Sequence, residues 1–181
     1  MGTTTNRALP YPEPSDLVTN GAQAIEDLAN ALDTDKGAVG FAATMLSNQN
    51  IPNAAWTDLT NWTETEDTHG ALAAGVFTAP QRGVYLFAAG IFWGANTTGA
   101  RYLSLWRQPS GGSYVEVPGN SCVASASLDS PRQSATAILE MGVGDKIVPR
   151  AFQSSGASVP AAYASSNLMT WGGTLLFRTA S

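Results

Sequence analysis

Residues 83–93 carry two interleaved series of apolar side chains. Tyr85, Phe87, Ala89 and Ile91 fall on one side of a predicted strand; Val84, Leu86, Ala88 and Phe92 fall on the other. A half-buried strand alternates apolar with polar, so this one is expected to be covered on both faces. In a sandwich one cover is the core, and the other is most simply a second subunit. Upstream, residues 75–80 read as a short strand stopped by Pro80, which offers no N–H to a ladder, and Gln81-Arg82-Gly83 as a tight turn. Downstream, apolar segments recur about every ten residues, the rhythm of an all-β sandwich. They are 101–107, 114–117, 122–128, 135–141 and 146–152; in the first, Tyr102 and Trp106 alternate with Leu103 and Leu105. Residues 38–46 predict a first strand and 56–62 a strand or strand plus turn. Residues 64–70 and 154–167 read as loops, and a last strand carries Trp171 and Phe177.

The first 36 residues are patterned differently. Ala-Leu-Pro-Tyr-Pro-Glu-Pro, with Pro10, Tyr11 and Pro12 at its centre, favours an extended polyproline-type arm. Residues 21–32 then have helical spacing: Ile25, Leu28 and Leu32 fall at i, i+3 and i+7, and Val18 lies one heptad before Ile25. Asn20 and Gln23 suit a capping box. The apolar stripe has the width of a coiled-coil seam. A lone helix of about twelve residues is marginal in water, so this one is expected to pack on symmetry mates or on a larger scaffold. The chain thus divides into an anchoring arm and helix, 1–36, and a head, 37–181.

Composition narrows the classes. Charged residues make up 13%, the net charge is −5 and the pI is near 4.6. Nucleic-acid binding needs clustered Lys and Arg, so nucleic acid is not expected as a partner. No apolar run approaches the ~20 residues of a membrane span, and no basic amphipathic or lipidation pattern points to a membrane surface. The single cysteine, Cys122, excludes an intrachain disulfide. With no apolar signal-like segment at the N-terminus, this suggests assembly in a reducing cytoplasm.

Phe77-Thr78-Ala79-Pro80, then Gly83-Val84-Tyr85 and Phe87, resembles the opening signature of the complement 1q-like head, a branch of the tumour-necrosis-factor-like jelly rolls. Leu139, Gly144-Asp145 and Ile147 resemble that family's step between two late strands, and residues 170–177 its closing glycine- and leucine-bearing strand. The resemblance implies a homotrimeric jelly-roll β-sandwich, with ligands taken by variable loops. The Pro-Tyr-Pro arm followed by Ala-Ile-x-x-Leu-Ala-x-x-Leu-Asp resembles the N-terminus of small tail or fibre proteins of phages infecting actinobacteria.

The candidate chemistry is sparse. His69 lies beside Glu64, Glu66 and Asp67, and a catalytic reading would pair it with Asp67 and a distant serine. A polar loop is the simpler reading. One histidine and one cysteine cannot build a His or thiolate metal cluster, and no catalytic residue, metal ligand or cofactor is assigned. Of the five tryptophans, Trp62 and Trp93 lie near strand ends and are the candidate ligand-facing rings. Tyr85, Phe87, Ile91, Tyr102, Trp106, Trp171 and Phe177 are assigned to core or trimer seam. Pro10, Tyr11, Pro12, Val18, Ile25, Leu28 and Leu32 are assigned to the anchor. The expected function is a non-enzymatic, homotrimeric virion knob of a phage tail, joined to other virion proteins through residues 1–36 and touching a host surface, with a cell-surface glycan as candidate partner. A trimeric capsid decoration protein is the alternative.

Overall fold

The computed structural model describes residues 2–3, 10–11, 20–34, 39–123, 132–161 and 169–179, with the side chains of 31–34 and 118–123 left aside. Val18, Pro12, the 36/37 boundary, residues 124–128 of a predicted strand and residues 162–167 of the last predicted loop lie outside them. So do the side chains of Pro10, Leu32 and Cys122.

Strands β1 (Gly2–Thr3) and β2 (Pro10–Tyr11) pair with each other, and α1 (Gly21–Thr34) lies against β2. Ala24 is buried, Leu28 half-buried and Ile25 exposed. Gln23 Nε2 donates to Asp27 Oδ1 at 2.9 Å, one turn ahead, instead of folding back on Asn20 as a capping box requires.

The head begins with β3 (Gly40–Met45), β4 (Gln49–Ile51) and β5 (Thr57–Asp58), followed by β6 (Trp62–Asp67), β7 (Leu72–Ala73) and β8 (Val76–Thr78). The long strands are β9 (Gly83–Phe92), β10 (Ala100–Gln108), β11 (Val115–Val123), β12 (Arg132–Met141) and β13 (Lys146–Gln153). A short β14 (Val159–Ala161) precedes β15 (Met169–Arg178). One sheet runs β12-β9-β15-β3-β6; the other runs β11-β10-β13-β8-β7, with β5 also paired to β13. The pairings between these strands are antiparallel; β14 pairs β4 and also bridges to Trp93, just past the end of β9. Two predicted loops therefore contain strands. Residues 62–67 are polar because β6 is an edge strand, where exposed charges discourage edge-to-edge pairing, and β14 is too short to leave a periodic signal.

The two sheets close on an aromatic core. Phe41 stacks on Phe77 at 4.9 Å and meets Trp171 at 5.1 Å; Phe87 stacks on Trp171 at 5.8 Å and on Tyr85 at 5.7 Å. Tyr85, Phe87, Ala89 and Ile91 all point inward, so the second apolar series of β9 is the outward one. The turn entering β9 is clamped by Tyr85, whose hydroxyl donates to the Gln81 carbonyl at 2.7 Å. Gly83 starts the strand because a Cβ there would lie 2.5 Å from the Phe177 carbonyl oxygen.

Candidate interaction surfaces

The outward face of the five-stranded sheet is apolar. Register sets Ile138 of β12 beside Leu86 of β9 and Thr174 of β15; the next row is Glu140, Val84 and Phe177. The row on the other side is small: Thr136, Ala88, Gly172 and Ala42. A bulge between Leu175 and Phe177 shifts the register of β15, and Leu176 and Phe177 both emerge at the surface. Ile138 is 65% exposed, Phe177 57% and Leu176 46%. The rim is polar. The Arg132 guanidinium lies 5.3 Å from the Phe92 ring centre, and Arg82 pairs with Glu140 at 3.0 Å. The Arg82 hydrogen bond, then that from the Thr179 hydroxyl, holds the Glu140 carboxyl below its ordinary pKa. An apolar centre with a polar rim is the anatomy of a protein interface.

The outward face of the other sheet is aromatic. Tyr102 and Trp106 of β10 and Arg150 and Phe152 of β13 share it, because Tyr102 pairs with Phe152 and Ser104 with Arg150 across the ladder. Trp56, just before β5, lies 5.4 Å from Trp106, 5.4 Å from Phe152 and 6.3 Å from Tyr102, with interplanar angles of 61°, 44° and 63°. Arg150 is bound to Asp58 and lies 4.6 Å from the Trp106 ring and 4.4 Å from the Tyr114 ring. Ser104 donates to Glu116 at 2.7 Å. Trp56 and Tyr102 remain 36% and 37% exposed.

These positions correct several expectations. Tyr102 and Trp106 lie outside the core, on the outward face of their sheet, since β10 turns Leu103 and Leu105 inward. Trp93 is fully buried: its indole N–H donates to Gln133 Oε1 at 2.6 Å and Arg101 sits 5.7 Å from its ring, so it faces no ligand. Trp62 is half-buried and donates to the Leu59 carbonyl at 2.8 Å. Tyr85, Phe87, Ile91 and Trp171 are core residues, and Phe177 is exposed on the five-stranded sheet. Trp56, placed by the sequence at the start of a predicted strand and not among the ligand-facing rings, precedes β5 and stays partly exposed.

Asp67, Glu140 and Asp145 are held by local donors. Burial alone would raise the pKa of Asp67, but backbone N–H groups of Leu72, Ala71, His69 and Gly70 outweigh it and hold the carboxyl below its ordinary value. Asp67 thus closes the 67–72 turn, while His69 Nδ1 meets Thr68 Oγ1 at 2.8 Å. Asp145 likewise overcomes its burial through Arg107 at 2.6 Å and the N–H groups of Gly142 and Ser110. With Arg82, Arg107, Glu140 and Gly142 it lines an open cleft of about 450 Å³. A general acid at neutral pH needs a raised carboxyl pKa; Asp67, Glu140 and Asp145 all shift the other way. Among the described residues no group of three or more His, Cys, Asp or Glu side chains is arranged to hold a metal ion, and no helix is long and apolar enough to cross a membrane.

No protein-family model matches the chain, and no curated protein sequence matches it. Solved structures do. The globular domain of zebrafish complement 1qA superposes with a TM-score of 0.56 at 16% identity, covering 78% of this chain and 99% of that one. Murine APRIL at pH 8.0 gives 0.57 at 13% identity, covering 77% and 100%, and Eiger TNF from S. frugiperda 0.57 at 12%, covering 80% and 96%. The head is a jelly-roll sandwich of the complement 1q and tumour-necrosis-factor-like architecture.

Proposed function

We propose that this chain is a non-enzymatic structural protein of a bacteriophage virion: a homotrimeric jelly-roll knob, anchored to its particle by residues 1–36 and turned toward the host surface. The observation that supports self-association is the uncovered apolar face around Ile138, Leu86 and Phe177, continuous across three strands and rimmed by charge. Large exposed apolar patches mark interaction sites, and the superposed folds come from a class whose heads assemble in threes. The virion assignment rests on the likeness of residues 10–33 to phage tail-protein arms. A tail position is preferred to capsid decoration because the head keeps a second, aromatic face free.

Light scattering on the full chain tests the assembly, with an expected mass three times the 18.8 kDa of one chain. Ile138→Glu places a charge at the centre of the face, where burying it unpaired costs several kcal/mol, so this variant is expected to run as a monomer. A monomeric parent chain overturns the trimer. Immunogold labelling of assembled particles tests the location: label at the tail tip supports the reading, label over the shell moves it to the capsid, and unlabelled particles refute it.

A further inference from the structure

We propose that the aromatic face formed by Trp56, Tyr102, Trp106 and Phe152 is a binding site for a neutral saccharide. The proposal deepens the surface-contacting role above and rests on that part of it, not on the trimer.

The first observation is the mixture of chemistry. The four rings meet at angles from 44° to 73°, forming a faceted surface rather than one stack. Two of them are more than one-third exposed. Beside them lie hydrogen-bonding groups, Asp58, Arg150 and Glu116. A pyranose has the complementary form, with a face of C–H groups that packs on an aromatic ring and a rim of hydroxyls that both donate and accept. Small-ligand sites commonly pair aromatic walls with a few placed polar groups.

The second observation is charge balance. Arg150 is engaged by Asp58 and held between Trp106 and Tyr114. Glu116 is the further acid at the edge, and the chain carries a net charge of −5. Nothing at this face would draw an anion, so the expected sugar is uncharged, not a sialylated or phosphorylated one.

The third observation is preorganisation. Ala54, two residues before Trp56, has φ of 56°, a left-handed conformation that costs a non-glycine residue about 1–2 kcal/mol. It is held there by its N–H, which donates to the Gln153 carbonyl at 2.7 Å, while Asn53 bridges to the same residue. Gln153 is itself fully buried. The loop therefore presents Trp56 from a rigid base, which lowers the ordering cost of binding.

The test is saturation-transfer difference NMR on the full chain. The probes are the methyl pyranosides of glucose, galactose, mannose and N-acetylglucosamine, together with linear tetrasaccharides of each. At least one probe is expected to receive saturation on its ring C–H protons. Trp56→Ala should weaken it at least tenfold, and Tyr102→Ser, a surface change that keeps the fold even if the first variant does not, should weaken it severalfold. Trimer mass is followed in parallel. Binding by a chain that proves monomeric supports the saccharide site while sinking the trimer. No transfer to any probe overturns the site, and leaves the face to a protein partner. Transfer that survives both variants also overturns it, because the sugar is then elsewhere.

Discussion

Gly173→Ala tests the packing on which both surfaces depend. Gly173 sits in β15 between Phe41 of β3 and Phe87 of β9. A Cβ built there lies 2.4 Å from Phe87 Cδ1, 2.7 Å from Phe87 Cε1 and 2.8 Å from Phe41 Cε1. Carbon atoms pack at about 3.5–4.0 Å, so two rings must retreat by about 1 Å. Neither has room to do so freely: Phe87 is stacked between Tyr85 and Trp171, and Phe41 lies on Phe77. Overpacking of this kind costs about 1–3 kcal/mol; two displaced rings place it near the upper end. Replacing a strand glycine returns about 0.5–1 kcal/mol, leaving a net loss of about 2 kcal/mol. For a chain of this length that lowers Tm by about 4–8 °C. The assay is thermal unfolding at fixed protein concentration, since self-association shifts apparent stability, with near-ultraviolet circular dichroism reporting on the rings. Gly40→Ala is the control: its Cβ meets nothing nearer than 3.7 Å, and its Tm should equal or exceed the parent's. A Gly173→Ala chain as stable as Gly40→Ala would refute the account of this core.

Asp145→Asn should lose about 1.5–3 kcal/mol at neutral pH, the worth of hydrogen bonds to a charged group, because Arg107, Gly142 and Ser110 all depend on its carboxylate. Its folded pKa is lowered, so its stabilisation is present above the unfolded value of about 3.9 and is lost as pH falls through the folded one. A pH series of melts should accordingly show a shallower acid limb in the variant, and identical limbs would count against the pairing. Gln153→Leu removes the side-chain amide that bonds the Ile51 and Ala157 carbonyls and the Ser155 N–H. The carbonyls keep the Ser158 and Ser155 hydroxyls, so the Ser155 N–H is the group left without its partner. The expected loss is about 1–3 kcal/mol, read as a lower urea midpoint at unchanged slope.

The sequence made β9 and the turn before it plain because Pro80 stops the preceding strand, Gly83 marks a turn where a Cβ would clash, and the strand is apolar throughout. It left open which series faces the core, since both are apolar. The bulk of Tyr85, Phe87 and Ile91 against Ala88 and Gly90 was the available hint: an aromatic core needs large residues, and a close-fitting outer face needs small ones. β6 was read as a loop because an edge strand carries Glu64 and Glu66 outward. Trp93 was placed at a surface because nothing local announces Gln133, forty residues away, as the acceptor that permits its burial. Pairings at that distance leave no periodic trace. The aromatic face was invisible for the same reason: Trp56, Tyr102 and Phe152 meet only through the β5-β13-β10 pairings.

Desolvation decides how the two outward faces divide their roles. Ala42, Ala88 and Gly172 offer a partner no polar side chain, and Leu86, Ile138 and Phe177 gain when water leaves. A second copy of the chain that covers this apolar centre leaves the Thr136 hydroxyl and the Arg82–Glu140 pair to be hydrated or bonded at its margin. A sugar laid on it would bury hydroxyls with no partner, at about 1–3 kcal/mol each. The aromatic face inverts both terms. Sealing it under another subunit would strip water from the Asp58–Arg150 pair and from Glu116, a cost that ion pairing often fails to recover. A small ligand with its own hydroxyls leaves those groups hydrated or bonded while it covers the rings. The proposed assignment of self-association to one sheet and ligand contact to the other rests on which polar groups each face can bury.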